Sequence, residues 1–580
     1  MLNLTLLIWL HVVMAKNKKF RLHFLSAVFL IVASLMVAKL FFVQVVKGQD
    51  YRIEADREYK KPVNKVFTRG TIYFTSHDGQ RVSGATLQSG YTLAINPTQL
   101  KSPEATYNAL TAIVPLDYAD FLKRAEKLND PYEELASRLT VEQAEIIKNL
   151  RLAGVYLVED NWRFYPGGTL AAHLLGRMGS QGGEDDYAGQ YGLEKQYDQI
   201  LRREESPGSS SFLGQLFHGL TASSTANGQF GDIVTTIEPT VENFLEQELE
   251  AINARWQPKL IGGIIMEPKT GAIIALAARP GFDPGGKRFD IKNLTNPMVQ
   301  GAYEMGSIIK LLTMSAGLDA KVVTPNSTYD DRGTIAFGSK EIGNWDRRGR
   351  GIVSMQEVLN QSLNTGAIYV MQQLGAERFE KYFQAFGLLA EKTGIDLPGE
   401  IIGRNNFKNR RPIEAATTSF GQGISMTPLT ALTALSSLAN GGQLVKPFVT
   451  KQIDYKNQPT VETKTTVKRR VVSVETANTI TEMLVKVGDK ALAHIQESLP
   501  RYQVAAKTGT AQIPKPGSGY YPDRYLHSFF GYFPASEPRF SIFLFAVEPQ
   551  GAEYASATLS KPFFNLTKFL LNYYQIAPDR

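Results

Sequence analysis

The 580-residue sequence contains no cysteine at all. Disulfide bonds, thiolate nucleophiles and thiolate metal sites are therefore excluded. Only seven histidines are present, and none has the spacing of a metal-ligand pair, so we expect no metal and no cofactor. There is also no low-complexity tract, and a content of 43% hydrophobic and 21% charged residues is typical of a folded protein.

Dense lysine and arginine clusters with interleaved aromatic residues are also missing from the soluble part of the chain. The formal net charge is nevertheless +7, which suits an acidic partner such as nucleic acid, lipid head groups or cell-wall polymer. Without basic clusters, nucleic acid is not expected as a partner. A Gly-x-Ser-x-Gly motif is absent too, so a Ser-His-Asp hydrolase would have no candidate nucleophile.

A basic cluster precedes a long apolar run near the N-terminus. The cluster consists of Lys16, Lys18, Lys19 and Arg21. The run extends from Phe24 to Val46 and is interrupted by Lys39, which can snorkel, so it is long enough to cross a bilayer. We predict a cytoplasmic tail at 1–19 and one transmembrane helix at 20–46, with the rest of the chain outside the cytoplasm. A cleaved signal peptide is the alternative, but no typical cleavage site ends the run.

Composition divides the remaining chain into three regions. Residues 47–205 mix strand-like alternation with helical periodicity, the latter from 102 to 150. Residues 206–230 are rich in serine, glycine, threonine and alanine, which is typical of a linker. Residues 231–580 contain strands, a helical block, and then strands beside a terminal helix. We therefore predict an α+β protein with a pedestal domain, a linker and a C-terminal domain whose antiparallel sheet is covered by helices.

Some elements of the C-terminal region can be bounded from the sequence. A helix is predicted from Pro239 to Ala254, and an apolar helix is predicted to end at Asn440. Strands are predicted at Phe529–Phe533 and Phe540–Val547, followed by a helix from Lys561 to Tyr574.

The stretch from Gly306 to Lys310 combines a hydroxyl and an amine at helical spacing. Gly306 allows a sharp bend into a helix, on which Ser307 and Lys310 share a face. A lysine can take the proton of a serine when apolar surroundings lower its pKa, and Ile308 and Ile309 could supply them. This is the only Ser-x-x-Lys in the sequence, although a core helix with a snorkelling lysine would give the same pattern.

Two further motifs follow in chain order. Ser362-Leu363-Asn364 is the only Ser-x-Asn of the sequence. Lys507-Thr508-Gly509 lies among small and β-branched residues that suit an edge strand. The order Ser-x-x-Lys, Ser-x-Asn, Lys-Thr-Gly matches the penicillin-recognising serine acyl transferases.

Lys-Thr-Gly occurs three times, beginning at Lys269, Lys392 and Lys507. The first copy is predicted to be the turn of a hairpin between two apolar strands. The second is predicted to be a helix C-terminus entering a loop, because Gly394 and Pro398 follow. Only the third has a strand pattern around it and follows the Ser-x-Asn motif, so we assign the site to Lys507.

With these motifs the chain resembles the class B penicillin-binding proteins, the monofunctional, membrane-anchored D,D-transpeptidases of bacterial cell-wall synthesis. The resemblance covers nearly the whole chain. It extends to Arg69-Gly70-x-Ile72, the segment 163–179, the segment 192–197, and the stretch from Ser419-Phe-Gly-Gln-Gly to Asn440-Gly-Gly. The family usually has proline where Met305 stands.

The resemblance implies a covalent mechanism. Ser307 would attack the D-Ala-D-Ala carbonyl of a peptidoglycan stem peptide, form an acyl-enzyme and expel D-alanine, and an amine of a neighbouring stem would complete the crosslink. Lys310 would take the serine proton. Ser362 would relay a proton, and Asn364 would hold the substrate amide.

The resemblance assigns the terminal carboxylate of the substrate to the third motif. Lys507, Thr508 and Thr510 would bind this carboxylate on the strand that contains Gly509. The oxyanion would sit between the backbone N–H groups of Ser307 and Thr510.

Partners and location are also implied by the resemblance. β-Lactams would acylate the enzyme, and the catalytic domain would lie outside the bacterial cytoplasmic membrane. No stretch resembles a glycosyltransferase domain, so a multi-span glycan polymerase of the shape, elongation, division and sporulation group is the implied partner. The residues around Ser362 are closer to the division-specific branch than to the elongation-specific branch, which carries cysteine beside the motif serine.

Three alternatives remain open on the same motifs. A D,D-carboxypeptidase would transfer the acyl group to water, and sequence does not exclude it. A class D-like β-lactamase shares the motifs but does not need the large pedestal. A non-catalytic scaffold would not need to retain every reactive residue.

Overall fold

The computed structural model describes residues 18–42, 47, 68–180, 187–203, 230–406, 411–491, 499–517 and 519–580. Most of the predicted cytoplasmic tail, most of the predicted linker and the end of the predicted membrane helix lie outside these residues. The described chain forms two compact units. One contains Tyr91–Asp160, and the other contains Thr68–Gly90 with Asn161–Arg580.

The first helix, α1 (Lys18–Phe41), has no acidic residue in its first turn and is apolar over most of its length. Its stretch Leu22–Phe41 comprises 20 residues, none of them buried. Twenty apolar residues in a helix span about 30 Å, the thickness of a bilayer core. In the described part of the chain this is the one helix long and apolar enough to cross a membrane, as expected of a single-pass anchor.

The next part of the chain contains strands and three helices. These elements are β1 (Ile72–Thr75), β2 (Arg81–Ile95), α2 (Pro103–Thr111), α3 (Tyr118–Ala125), β3 (Glu133–Leu139), α4 (Val141–Asn149) and β4 (Val155–Phe164). The helical pattern predicted for 102–150 is confirmed for α2, α3 and α4. It is wrong for β3, which pairs with the Tyr91–Ile95 end of β2, because partner strands override weak local propensity.

Short elements follow up to residue 235. They are α5 (Ala172–Leu175), β5 (Met178–Ser180), β6 (Tyr187–Gly189), α6 (Gly192–Gln196), α7 (Asp198–Leu201) and β7 (Gly231–Thr235). β7 runs parallel to β1. His173 on α5 is buried, and its Nε2 lies 3.0 Å from the Asn293 carbonyl oxygen. Burial lowers the pKa of this imidazole to about 4, so it is a neutral packing residue.

A buried ionic cluster ties this region together. The Glu194 carboxylate is fully buried and accepts from Arg69 Nε at 2.6 Å and from Arg163 Nε at 2.5 Å. Arg69 also donates to Asp198 at 2.9 Å, and Arg163 donates to the Gly70 carbonyl oxygen at 2.7 Å. Buried charges are tolerated only when paired in this way.

Glu194→Ala is therefore expected to lower the free energy of unfolding by about 3–5 kcal/mol, because it leaves two buried guanidinium groups without their shared carboxylate. The measurement is the urea midpoint of the purified chain. Glu537→Ala is the matched control: it removes an ion pair with Lys269 in which both side chains are exposed, and surface pairs contribute little. Equal midpoints for the two variants would contradict the assigned role of the cluster.

The remaining chain builds a sheet between helices. From residue 239 to 385 it forms α8 (Pro239–Trp256), β8 (Leu260–Met266), β9 (Ile273–Arg279), α9 (Pro297–Gln300), α10 (Lys310–Asp319), β10 (Thr328–Asp331), β11 (Thr334–Phe337), β12 (Lys340–Gly343), β13 (Gly351–Ser354), α11 (Met355–Asn360), α12 (Asn364–Leu374) and α13 (Ala376–Ala385). From residue 412 it forms α14 (Pro412–Thr418), α15 (Pro428–Ala439), β14 (Gln443–Val445), β15 (Thr450–Tyr455), β16 (Val461–Glu462), β17 (Val467–Arg470), α16 (Val474–Ala491), β18 (Ala505–Pro514), β19 (Tyr520–Phe533), β20 (Phe540–Val547) and α17 (Ala555–Tyr573).

The five-stranded antiparallel sheet has the strand order β18-β19-β20-β8-β9. Helices cover both faces, and alternate residues of β19 point to opposite sides. Phe529 stacks on Phe563 of α17 at 4.3 Å between ring centroids, whereas the Tyr532 hydroxyl bonds Thr481 of α16 at 2.7 Å. The predicted α+β class, with an antiparallel sheet covered by helices, is confirmed.

Several predicted boundaries agree with the structure and three do not. β19 begins at Tyr520, nine residues before the predicted start at Phe529. β20 spans Phe540–Val547 as predicted, because a strand buried on both faces is a continuous apolar run. α17 begins at Ala555, six residues before the predicted start at Lys561, and Pro562 lies inside the helix. α13 ends at Ala385, so Lys392 lies in a loop and not at a helix C-terminus.

Candidate active site

Ser307 lies in a tight turn at the N-terminal end of α10. Residues Gly306–Ile309 form a 3₁₀ helix that passes directly into α10 at Lys310. In a 3₁₀ helix the side chains of residues i and i+3 eclipse one another, so Ser307 and Lys310 lie on the same side. The turn begins with Gly306 at φ +64°, a left-handed conformation that favours glycine.

Lys310 is a buried amine in an apolar setting, with 1% of its surface exposed. Its Nζ donates to the Ser362 carbonyl oxygen at 2.5 Å and lies 3.2 Å from Ser362 Oγ. Burial lowers the pKa of Lys310 well below the ordinary lysine value, and the nearby Lys507 lowers it further. A lysine that is neutral at pH 7 can accept a proton from a neighbouring hydroxyl.

Ser362 joins α11 to α12 through an unusual backbone conformation. Its φ is +57°, which is uncommon for a residue with a side chain and is often found at functional sites. In this conformation both its carbonyl oxygen and its hydroxyl reach Lys310. The first two predicted motifs therefore meet at the lysine amine.

Asn364 begins α12 and is held by a neighbouring hairpin. Its Nδ2 donates to the Gly343 carbonyl oxygen at 2.8 Å. Beneath it, Thr365 Oγ1 donates to the buried Asp331 carboxylate at 2.8 Å, and Asn344 Nδ2 donates to both oxygens of that carboxylate at 3.0 Å. Sequence reasoning missed Asp331 and Asn344, since neither belongs to a motif and their pairing depends on the fold.

The third motif lies on β18, at one edge of the sheet. Among the described strands, β18 pairs with β19 alone, so its other edge is free to bind an extended peptide. A Cβ at Gly509 would lie 2.8 Å from the Met305 carbonyl oxygen and 3.2 Å from the Ile308 nitrogen. Only glycine permits β18 to approach the turn that contains Ser307 this closely.

Lys507 and Gly509 occupy one face of β18, and Thr508 and Thr510 occupy the other. Lys507 is 3% exposed, and its Nζ donates to the Thr508 carbonyl oxygen at 3.0 Å. Thr510 Oγ1 accepts from the Ala555 backbone N–H at 3.1 Å. A threonine that accepts one hydrogen bond still has its own proton to donate.

Burial lowers the pKa values of the two site lysines to different extents. The pKa of Lys507 falls to about 8, so this amine is mostly charged at pH 7, whereas the pKa of Lys310 is lowered well below the ordinary lysine value by burial and by the charge of Lys507. Paired groups whose environments separate their pKa values are typical of acid–base sites. The arrangement can therefore supply a base at Lys310 and a cation at Lys507.

Glu304 is a further residue that the sequence did not identify. It stands three residues before Ser307 and accepts from the Tyr520 hydroxyl of β19 at 3.0 Å. Burial raises the pKa of its carboxyl to about 7. The contact joins the segment that leads into Ser307 to the hairpin that contains β18.

The other two Lys-Thr-Gly copies lie elsewhere. Lys269 is in the turn between β8 and β9, as predicted, at the sheet edge opposite β18, and it pairs with Glu537 at 2.7 Å. The Lys392 carbonyl oxygen accepts from Lys468 Nζ at 3.0 Å, and Thr393 Oγ1 donates to Glu400 at 2.6 Å.

Comparison with known families gives two matches along the chain. Residues 261–567 match the penicillin binding protein transpeptidase domain. Residues 66–208 match the penicillin-binding protein dimerisation domain. All three motifs fall within the first match.

Similar proteins cover almost the full length. Stage V sporulation protein D of Bacillus subtilis is 32% identical over 572 residues, which is 95% of this chain and 84% of that protein. Peptidoglycan D,D-transpeptidase FtsI of Buchnera aphidicola subsp. Schizaphis graminum is 27% identical, covering 96% of this chain and 95% of that protein.

Solved structures share the fold. Penicillin Binding Protein 2X from Streptococcus thermophilus superposes with a TM-score of 0.71 at 21% identity, covering 88% of this chain and 81% of that one. Penicillin binding protein 3 from Mycobacterium tuberculosis, complexed with aztreonam, superposes with a TM-score of 0.66 at 23% identity, covering 89% of this chain and 98% of that one. Since a transpeptidase-domain match spans more than half the sequence and a relative above 30% identity spans nearly all of it, the chain belongs to the penicillin-binding protein family of peptidoglycan D,D-transpeptidases.

Proposed function

We propose that Ser307 is the serine acylated by stem peptides and β-lactams, with Lys310 as its general base. The observation that carries the proposal is the pair of buried lysines: Lys310, one helical turn after Ser307 and with a strongly lowered pKa, and Lys507 on the facing strand. Lys310 takes the serine proton as Ser307 Oγ attacks the penultimate D-Ala carbonyl carbon. The developing oxyanion lies between the N–H groups of Ser307 and Thr510.

Collapse of this intermediate breaks the peptide C–N bond and leaves an ester on Ser307. The departing D-alanine amine needs a proton. Ser362 relays this proton from Lys310, because the Ser362 hydroxyl lies 3.2 Å from Lys310 Nζ. In the second half an acceptor amine forms the new C–N bond, the ester C–O bond breaks, and the proton from the amine returns to Ser307.

The other motif residues position the substrate. Asn364 donates one side-chain amide proton to the Gly343 carbonyl oxygen. Its side-chain carbonyl oxygen and its second amide proton can therefore bind the substrate amide. The hydroxyl groups of Thr508 and Thr510 bind the terminal carboxylate, and the buried amine of Lys507, on the opposite face of β18, attracts it as a cation, with Gly509 allowing the close approach of the strand.

The experiment that tests this function is covalent labelling of the purified full chain. Incubation with a β-lactam should raise the intact mass by one drug mass, and peptide mapping should place the adduct on the peptide containing Ser307. An adduct on another serine would refute the assignment. A donor peptide ending in D-Ala-D-Ala with an amine acceptor should then give a crosslinked product, whereas release of the hydrolysed acid alone would identify a carboxypeptidase.

The three Lys-Thr-Gly copies give an internal comparison. Lys507→Ala is expected to slow acylation by roughly a hundredfold, since the cation that attracts the substrate carboxylate is lost and the pKa of Lys310 rises without the charge of Lys507. Lys269→Ala and Lys392→Ala remove the lysine of the two Lys-Thr-Gly copies that lie away from the site. The acylation rates of these two variants should stay within a few-fold of the parent rate. A large loss at Lys392 with none at Lys507 would reverse the assignment.

The chain is further proposed to be anchored by α1 in the bacterial cytoplasmic membrane, with its catalytic domain outside, and to work with a multi-span glycan polymerase of the shape, elongation, division and sporulation group. The basic residues before α1 favour this orientation. The context of Ser362 and the similarity to a sporulation protein favour a division-type partner over an elongation-type one.

Co-expression of the full chain with division-type and elongation-type polymerases tests this partner. The division-type polymerase should co-purify and form glycan faster in the presence of the chain. Selective pairing with the elongation-type polymerase would reverse the preference. Polymerisation of lipid-linked disaccharide by the chain alone would remove the need for a partner.

A further inference from the structure

A buried carboxylate lies beneath the Ser-x-Asn motif. It belongs to Asp331, the last residue of β10, which is 2% exposed. Its Oδ1 accepts from the Gly333 N–H at 3.0 Å and from Thr365 Oγ1 at 2.8 Å. Its Oδ2 accepts from the Arg350 N–H at 3.1 Å, and Asn344 Nδ2 donates to both oxygens at 3.0 Å. Buried charges need such donors, and a side chain that accepts fewer bonds would leave some of the donors unpaired.

Two of these donors hold the start of α12. The residue before this helix provides no side-chain cap, so its first N–H groups need other acceptors. Asn344 Oδ1 accepts from the Thr365 N–H at 3.2 Å, while the Thr365 hydroxyl is bound to Asp331. Asn364, directly before Thr365, donates to the carbonyl oxygen of Gly343, directly before Asn344. The chain on the C-terminal side of the motif serine is therefore fixed by Asp331 and its partners.

A third donor holds the chain that leads into the motif serine. Arg350, whose N–H binds Asp331, donates from Nε to Gln361 Oε1 at 3.1 Å. Gln361 is the residue directly before Ser362. The Arg350 guanidinium is in turn held by Asp346 at 2.8 Å. Hydrogen bonds that begin at one carboxylate thus reach both sides of Ser362.

Ser362 needs this support because of its backbone conformation. Its φ of +57° is uncommon for a residue with a side chain, and such conformations persist only where the surrounding structure holds them. In this conformation the Ser362 hydroxyl lies 3.2 Å from Lys310 Nζ. If the turn relaxed to a more common conformation, the hydroxyl would move away from the amine.

We propose that Asp331 is a positioning residue for the proton relay: its hydrogen bonds on both sides of Ser362 keep the serine hydroxyl beside Lys310. The inference rests on the proposed function, because it names the group that supports one step of that reaction. When an amide donor is cleaved, the C–N bond breaks, and the departing amine takes a proton from the Ser362 hydroxyl. The hydroxyl regains a proton from the Lys310 ammonium.

A thioester donor makes less use of this relay. Its C–S bond breaks and the sulfur leaves as a thiolate, which needs no proton because thiols are far more acidic than amines. Attack by Ser307 and proton removal by Lys310 are common to both donors. A misplaced Ser362 hydroxyl should therefore slow cleavage of the amide much more than cleavage of the thioester.

The test uses the full chain and two matched donors. One is a peptide ending in D-Ala-D-Ala, and the other is the same peptide with D-thiolactic acid in place of the last D-alanine, which keeps the methyl group and the carboxylate. The rates of D-alanine and thiol release are compared. Asp331→Asn should lower the amide-to-thioester rate ratio by roughly tenfold or more, because small displacements of reacting groups cost this much. Thr365→Val, which removes one donor and keeps the side-chain shape, should lower the ratio in the same direction.

Glu400→Gln is the matched control. The Glu400 carboxylate is also buried, at 7% exposure, and accepts from the Thr393 hydroxyl at 2.6 Å and from the Thr393 N–H at 2.7 Å. It belongs to the loop of the second Lys-Thr-Gly copy, so its loss should lower the melting temperature and leave the rate ratio at the parent value.

The double variant Asp331→Asn, Ser362→Ala should have the same ratio as Ser362→Ala alone, because Asp331 acts on the ratio through that hydroxyl. A parent ratio in both Asp331→Asn and Thr365→Val, or a further fall of the ratio in the double variant, would overturn the role of Asp331. A parent chain that neither cleaves the donors nor labels with penicillin would instead refute the proposed function.

Discussion

Ser307→Ala should leave no β-lactam adduct on the protein. The substitution removes the oxygen that is proposed to form the ester. The Ser362 hydroxyl, which lies 3.2 Å from Lys310 Nζ, is assigned to proton relay and should not replace it. The expected intact mass after incubation is that of the untreated variant. Since one half-buried hydroxyl is lost, the folded structure should survive, and the melting temperature should stay close to the parent value.

Ser362→Ala is the matched control for this result. It removes the other serine hydroxyl of the site but keeps the nucleophile, so an adduct should still form, more slowly, on Ser307. A full adduct on Ser307→Ala would show that the nucleophile has been misassigned.

Lys310→Met should slow acylation by roughly a hundred- to ten-thousandfold, which is the usual contribution of a general base. Methionine keeps the length and the apolar contacts of the lysine chain while removing the amine. Labelling kinetics with a fluorescent penicillin measure the effect. An acylation rate within a few-fold of the parent would exclude Lys310 as the base.

The pH dependence provides a second test of Lys310. Its pKa lies well below the ordinary lysine value, and only the neutral amine accepts a proton, so the parent rate should fall as the pH drops through that lowered pKa. The small residual rate of Lys310→Met should lack this acid limb. A parent profile whose limb lies at the ordinary lysine pKa would contradict the burial argument.

The pH dependence of the free energy of unfolding should also reflect the protonation of Lys310. Between the lowered pKa of Lys310 and the ordinary lysine pKa, the unfolded chain binds a proton that the folded chain does not, so the free energy of unfolding rises with pH in this window. The parent should exceed Lys310→Met in this slope by up to about 1.4 kcal/mol per pH unit, the value for one proton. Lys507 is present in both proteins, so the difference isolates Lys310.

Much of this site could be predicted because its motifs are local. Ser307 and Lys310 are three residues apart, and the apolar residues between them already indicate a lowered lysine pKa. The strand at Lys507 followed from small and β-branched neighbours. These features depend on helical or strand periodicity, which a short stretch of sequence contains.

The groups that the sequence did not reveal depend on distant pairing. Asp331 and Asn344 act through Thr365, and Glu304 acts through Tyr520, more than 200 residues away along the chain. Nothing near any of these residues indicates its partner. The strand β3 was missed for the same reason, since its pairing with β2 outweighs a helical local pattern.

The strand order also has a consequence for biosynthesis. β8 pairs with β20, so that Ile264 lies beside Phe543, and among the strands of the described residues β18 joins the sheet only through β19. Because the chain is synthesised from its N-terminus, the apolar edge of β8 in the β8–β9 hairpin stays unpaired until almost the whole chain has been made. Unpaired edges of this kind are prone to aggregation, and pairing between such distant segments is slow. Ser307, the proposed nucleophile, is thus synthesised long before the strand that completes its site, so we expect competence for acylation only after the last strands and α17 have folded.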